Sequence, residues 1–287
     1  MALLLVDVSN IIYRAYHSLD PTRFQRDDGL STNAVYGVAI IILNVINTIK
    51  LLHDQVTVVA CMDSSSCSHT RKVVSSSYKQ NRPKAPDQLR HQFKWIRTLL
   101  TSMGIHQCEV SGQEADDIIA SYVSHHAKLF SHTYIASPDK DMCQLVDNNV
   151  SIYNTRTKLV ETPKEIKQKY GISPQMFPLF QALVGDKVDN VHGIKGIGPK
   201  TGQSVVNACN GSIDELFSDE FSHPKKHLIV NNKETVVENI KLVKLNSAID
   251  VALPAASFSA SQLKTQQFKT FLDSMNIHAK ALRKYAA

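Results

Sequence analysis

The chain predicts an α/β fold: a doubly wound, mainly parallel sheet followed by an α-helical half. Three observations carry this. Short apolar runs of strand length alternate with helical patterns up to about residue 172. From 173 onward the pattern changes to helix, glycine-rich loop, helix, and then further amphipathic helices. The 287 residues are 43% hydrophobic and 20% charged, enough to bury a full core. No internal repeat appears.

Each element follows from local pattern. Residues 3–7 form a short apolar strand, and Ser9-Asn10 opens a helix. Residues 31–53 read as a long helix, apolar all round and therefore buried. A second strand over 56–61 ends at Asp63. Residues 64–87 lack apolar periodicity and form a long polar, basic loop. Asp87 caps a helix to about Met103, and a strand follows over 105–110. Ser111-x-x-Glu114 is a capping box opening a helix to about Ala127. A strand over 133–136 precedes Asp139 and Asp141. Thr162-Pro163-Lys164-Glu165 is another helix start, closed by Gly171. Beyond it come a helix over 174–184, a glycine-rich loop over 185–198, a helix over 199–209, and helices near 232–245 and 261–274. The expected division is an α/β domain over 1–172, its basic loop at about 64–95, and a helical region over 173–287.

Nine carboxylates sit in five short clusters: Asp7, Asp63, Glu114/Asp116/Asp117, Asp139/Asp141 and Asp186/Asp189. A strand-end Asp alone is more often a turn or helix cap. In a doubly wound sheet, however, ligands bind beyond the carboxyl ends of the strands, where Asp7, Asp63 and the Asp139/Asp141 pair converge. Like charges gathered in one place need a multivalent cation or a proton. Oxygen-only ligation suits Mg²⁺ or Mn²⁺ and disfavours zinc, and so many carboxylates point to two ions. Within the third cluster Glu114 and Asp117 share a helix face while Asp116 points elsewhere. At least one of the three therefore reaches a metal only through water.

The net charge is +6, from 32 Lys+Arg against 26 Asp+Glu, and the pI is near 9.0. Setting the nine carboxylates aside leaves 17 acids against 32 bases, about +15. An acidic hole in a basic surface fits an enzyme acting on a polyanion, and nucleic acid is the first partner to consider. Five scattered cysteines match no common zinc spacing; Cys61-x5-Cys67-x-His69 comes nearest. The opening apolar run stops at Asp7, too short for an export signal, so a reducing cytoplasm is expected. The stretch 34–43 is broken by Gly37, and no membrane span is read there.

Two further segments carry binding chemistry. Gly193-Ile194-Lys195-Gly196-Ile197-Gly198-Pro199-Lys200-Thr201 is neither a P-loop nor a dinucleotide fingerprint. A glycine hairpin running into a helix N-terminus instead grips phosphate with backbone amides. Arg71, Lys72, Tyr78, Lys79, Arg82 and Lys84 form a basic patch with one aromatic, suited to stacking a base while cations hold phosphates.

Taken together, five stretches resemble the 5′→3′ exonuclease and flap endonuclease family, which includes the 5′-nuclease domain of bacterial DNA polymerase I and stand-alone phage enzymes. They are Leu5-Val6-Asp7-Val8-Ser9-Asn10, Tyr78-Lys79-Gln80-Asn81-Arg82-Pro83, Gly112-Gln113-Glu114-Ala115-Asp116-Asp117, Ser137-Pro138-Asp139-Lys140-Asp141, and Gly185-Asp186-Lys187-Val188-Asp189-Asn190 running into 193–201. The resemblance implies a PIN-like domain followed by a helix–three-turn–helix element at about 174–209. It places Asp7, Asp63, Glu114, Asp116 and Asp139 around a first Mg²⁺ and Asp141, Asp186 and Asp189 around a second, with Asp117 acting through water and Mn²⁺ able to substitute. Tyr78, Lys79 and Arg82 look like catalytic residues of an arch that threads a single-stranded 5′ end. Gly193, Lys195, Gly196, Gly198, Lys200 and Thr201 look like the duplex-binding element, with K⁺ at 193–198. Lys187-Val188 and Pro138 depart from the family pattern; the first bears on second-site metal affinity.

The implied activity is Mg²⁺-dependent 5′→3′ exonucleolytic and flap-endonucleolytic hydrolysis of DNA, in replication or repair. The expected substrates are 5′ flaps, nicks and duplex ends, with RNA of RNA–DNA hybrids a further one. A free-standing monomer in the cytoplasm of a bacterium or phage-infected cell is expected. The alternatives are a PIN-class ribonuclease, against which the duplex-gripping hairpin speaks, and a non-catalytic DNA-structure-binding protein, against which the complete carboxylate set speaks.

Overall fold

The computed structural model describes residues 1–64, 69–256, 258 and 266–286. Its centre is a six-stranded sheet of β1 (Ala2–Asp7), β2 (Val56–Cys61), β3 (His106–Cys108), β4 (His132–Ala136), β5 (Val150–Asn154) and β6 (Leu159–Glu161), ordered β3-β2-β1-β4-β5-β6. All pairs are parallel except β5–β6. The sheet is therefore doubly wound, and the strand order reverses between β1 and β4.

Strand β1 is apolar up to Asp7 because both its faces are covered. Ala2, Leu4 and Val6 join a core with α1 (Val8–Ser18), α2 (Asn33–Lys50) and α4 (Asp87–Ser102). Leu3 and Leu5 face the opposite core, with α5 (Ala115–His126) and the helices of the second half. Helix α2 is long and apolar enough to cross a membrane, but here its buried side chains pack against α1 and α4.

Several expectations need correction. Segment 64–87 is not a featureless loop: α3 (His69–Val74) forms within it and a turn over 75–82 follows. Residues 65–68, including Cys67 of the zinc-like triad, lie outside the described residues. Helix α4 begins at Asp87, but Pro86 holds the cap position without a side-chain bond. The capping box at Ser111 and Glu114 does not form. Glu114 itself is the cap residue of α5, its carboxylate drawn off to cations, and Asp63 accepts from Ala115 N at 2.7 Å in its place. Strands β5 and β6 carried no turn signal strong enough to separate them from loop. By contrast, the capping box at Thr162 and Glu165 opens α6 (Pro163–Tyr170), and Gly171 closes it at φ 69°.

In the second half, residues 174–176 form a 3-10 turn ahead of α7 (Phe177–Val184). The glycine-rich stretch holds a small hairpin, β7 (Gly185–Asp186) with β8 (Val191–His192), antiparallel. It leads to α8 (Pro199–Ala208), followed by α9 (Ile213–Leu216), α10 (Lys226–Asn231), α11 (Lys233–Val243), α12 (Gln266–Ser274) and α13 (Lys280–Ala286). The first part of the helix expected over 261–274 lies outside the described residues. Gly193 permits the hairpin's close fit, since a Cβ there would stand 2.2 Å from the Val184 carbonyl.

Candidate active site

Four carboxylates open onto one cavity of about 270 Å³ beyond the ends of β1, β2 and β4: Asp7, Asp63, Asp116 and Asp139. Asp7 ends β1 and caps α1, accepting from Asn10 N at 3.0 Å and from Ser137 Oγ at 2.7 Å. Asp139 caps the 3-10 turn after β4, accepting from Asp141 N at 3.0 Å. Asp116 comes from the first turn of α5. Burial pushes the Asp7 carboxyl up to about 7, with repulsion from Asp63 and Asp139 adding to it. Burial, then Asp7 and Asp139, hold the Asp116 carboxyl well above the usual range. Lys79, Arg82, Tyr13 and Val188 complete the wall.

Glu114 and Asp117, three residues apart at the start of α5, do not line this cavity; Glu114 lines an adjoining one with Asp63, Lys79 and Arg82. Arg71 holds both Glu114 and Asp117. Its Nη1 lies 2.9 Å from Glu114 Oε2 and 2.7 Å from Asp117 Oδ2, and its Nη2 donates to Asp117 Oδ1 at 2.7 Å. Asn246 N donates to Asp117 Oδ1 at 2.8 Å. Lys79 Nζ reaches Glu114 Oε1 at 2.8 Å. Burial opposes the Lys79 charge, but Glu114 and Asp189 outweigh it and raise the ammonium's pKa.

Asp141, Asp186 and Asp189 form a second group. Asp141 accepts from Gln181 Nε2 at 2.6 Å, and its carboxyl is pushed up to about 7 by burial, then by Asp139 and Asp189. Asp186 pairs with Lys140 Nζ at 2.9 Å and accepts from Val188 N at 2.9 Å. Asp189 pairs with Arg82 and accepts from Tyr78 Oη at 3.2 Å. Among the described residues, no group of three or more His, Cys, Asp or Glu forms a ready-made metal cage. Five of the nine carboxylates, Glu114, Asp117, Asp141, Asp186 and Asp189, meet Arg71, Lys79, Arg82, Lys140 or Gln181, which offset their mutual repulsion.

The basic segment differs most from expectation. Arg71, expected on nucleic acid, is 7% exposed and clamps α3 to α5. Tyr78, expected to stack a base, is 3% exposed, with Lys79 Nζ 5.0 Å from its ring centre. The turn carrying it is pulled inward by the carboxylates. Lys72 lines a neighbouring cavity of about 450 Å³ with Lys79, Arg82 and Glu114, while Lys84 is exposed. In the 193–201 hairpin, Ile194 and Ile197 are buried anchors. Lys195, Gly196, Gly198 and Lys200 are exposed, Gly193 and Thr201 half-buried. The first turn of α8 has no side-chain cap, so its amides are free for an anion.

Ser137, Lys140 and Gln181 were not expected in the site. Gln181 had a visible signal, a lone amide in the apolar run 177–184. Lys140 and Ser137 stood inside a quoted motif without a role of their own.

Two family models match the chain in order: 5′-3′ exonuclease, N-terminal resolvase-like domain, over residues 2–171, and 5′-3′ exonuclease, C-terminal SAM fold, over 172–267. A 5′-3′ exonuclease of Aquifex aeolicus is 36% identical over 257 residues, covering 88% of this chain and 84% of that one. DNA polymerase I of Pseudomonas aeruginosa is 29% identical over 296 residues, covering 97% of this chain, which spans 32% of that protein's length. The bacteriophage T5 D15 protein, crystallised with metal ions, shares the fold with a TM-score of 0.68 at 19% identity, over 100% of both chains. T5 D15 flap endonuclease has also been solved with DNA and metal ions, at a TM-score of 0.67 and 19% identity over 96% of this chain and 99% of that one. Matched in both halves, this chain belongs to the 5′-3′ exonuclease family.

Proposed function

We propose that this chain is a metal-dependent, structure-specific 5′ nuclease that hydrolyses phosphodiester bonds of DNA near free 5′ ends, at flaps, nicks and duplex ends. The observation that carries the reading is one cavity lined by Asp7, Asp63, Asp116 and Asp139 together with Lys79 and Arg82. The donor set fits a hard divalent cation. It is all oxygen, and its buried carboxylates repel one another. Asp7, Asp63, Asp116 and Asp139 would hold a first Mg²⁺, with Mn²⁺ able to replace it, and Asp141, Asp186 and Asp189 a second. Bound ions supply an activated water and neutralise charge on the reacting phosphate.

The protein's own groups do the rest. Lys79 and Arg82 orient the scissile phosphate by charge-assisted hydrogen bonds. They exchange part of their hold on Glu114 and Asp189 for it. The uncapped start of α8, flanked by Lys195 and Lys200, holds a duplex phosphate through free amides, with K⁺ at 193–198. Glu114 and Asp117 act at one remove, through Arg71 and Lys79. No covalent intermediate is required, and the product carries a 5′-phosphate.

The test is cleavage of end-labelled 5′-flap, nicked and blunt DNA, and of matched RNA, with Mg²⁺ or Mn²⁺. Ion-dependent release from the flap or nick supports the reading. Turnover of RNA alone would favour a ribonuclease, and binding without turnover a structure-binding protein.

A further inference from the structure

A primary amide inside an apolar helix needs partners for two donors and two acceptor lone pairs. Gln181, on the run Phe-Pro-Leu-Phe-Gln-Ala-Leu-Val of α7, is 2% exposed. Its Nε2 donates to Asp141 Oδ1 at 2.6 Å and reaches Asp186 Oδ2 at 3.5 Å, the outer edge of a hydrogen bond. Its Oε1 is buried and has no partner among the described residues. The two carboxylates fix the amide's orientation, since a flipped amide would set its oxygen against both. Asp141 comes from the turn after β4, and Asp186 from β7 in the second half of the chain. Gln181 thus spans the two halves, and Lys140 Nζ closes the row at 2.9 Å from Asp186 Oδ2.

We propose that Gln181 is a positioning residue of the second carboxylate group. Its nitrogen bridges Asp141 and Asp186, which would hold the second ion, and its unpaired oxygen would accept from water there. The proposal rests on the metal-dependent reading above. The chemistry of the amide explains the choice of side chain. A lysine or arginine at this point would compete with the metal, and a glutamate would add a third repelling charge. An amide donates without altering the charge of the group.

The test is Mn²⁺ binding by calorimetry to the full chain without DNA, comparing wild type with Gln181→Met and Gln181→Glu. Asp186→Asn identifies which binding event belongs to the second group. Gln181→Met fills the same volume without a donor and should weaken that event about 10–100-fold, the usual scale for a residue supporting a ligand, leaving the other event unchanged. Gln181→Glu should tighten the same event while lowering the melting temperature of the ion-free protein. A space-filling role would move both variants' melting temperatures the same way and leave both isotherms alone. Two events in wild type with neither variant altered would sink the role of Gln181. A wild type with no second event would overturn the two-group reading together with it.

Discussion

Arg71 and Asp117 meet through two hydrogen bonds of 2.7 Å each, Nη1 to Oδ2 and Nη2 to Oδ1, the bidentate match of guanidinium to carboxylate. Both side chains are more than nine-tenths buried. Arg71 Nε also donates to the Leu242 carbonyl at 2.8 Å, at the end of α11. One side chain thus ties α3, the catalytic-side helix α5 and the C-terminal half together. Proximity to Asp117 and Glu114 raises the guanidinium's pKa despite burial, which opposes it.

Replacing Arg71 with methionine leaves Asp117 and Glu114 buried without their counter-ion. The expected loss is about 3–5 kcal/mol of stability, the scale for removing one partner of a buried pair. Urea midpoints measure it, and a loss under about 1 kcal/mol would show the clamp to be idle.

Asp7→Ala and Asp116→Ala each remove a carboxylate from the wall of the central cavity. Cleavage of a 5′ flap should fall at least about 100-fold, the scale of losing one preorganised electrostatic contact. Flap binding, followed by fluorescence anisotropy in Ca²⁺, should survive because the hairpin and basic residues are untouched. Full activity in either variant would refute the site.

The pH dependence of the ion-free protein follows from Asp7 and Asp141. Burial raises both carboxyls from 3.8 to about 7. Between those values the folded state binds more protons than the unfolded chain, so stability falls as pH rises through the window and levels off above it. Ion-free protein should melt about 2–8 °C higher at pH 6 than at pH 8, and Mg²⁺ should recover the difference at pH 8. A melting temperature that rises with pH over this range would contradict the assignment.

Two glycines of one hairpin should behave differently. A Cβ at Gly193 would stand 2.2 Å from backbone atoms of Val184, whereas one at Gly198 would meet nothing within 4 Å. Gly193→Ala should cost about 1–3 kcal/mol through overpacking. Gly198→Ala should keep wild-type stability yet weaken duplex binding, because on the proposed reading a phosphate meets the α8 amides beside the added methyl. Equal binding by Gly198→Ala would remove that glycine from the interface.

Much of the architecture was legible because apolar runs such as 3–7 and 56–61 are short, continuous and separated by helical periods. That pattern placed Asp7, Asp63 and Asp139 at one sheet edge, and helical spacing separated Asp116 from Glu114 and Asp117. What stayed hidden depends on partners far along the chain. Nothing near Arg71 announces Asp117, 46 positions on, and nothing near Ser111 reveals that Asp63 accepts from Ala115 N. The inward fold of Tyr78 has the same cause. A polar, basic segment reads as solvated until its carboxylate partners are known. Strands β5 and β6 end in ordinary polar residues, and only their pairing identifies them.

The turn over 75–82 is fastened to the β7–β8 hairpin by the carbonyls of Lys187 and Asp189 and by the side chains of Asp189 and Asn190. Lys79 N donates to Asp189 O at 3.0 Å, Asn81 Nδ2 to Lys187 O at 3.0 Å, and Asn190 Nδ2 to Ser77 O at 2.8 Å. The side chain of Val188 is 63% exposed at the mouth of the cavity. Side chains at 187 and 188 are therefore free to change without unfastening the turn over 75–82. The hairpin tip is thus a place where the side chains at the cavity mouth can vary while the contacts behind them stay assembled.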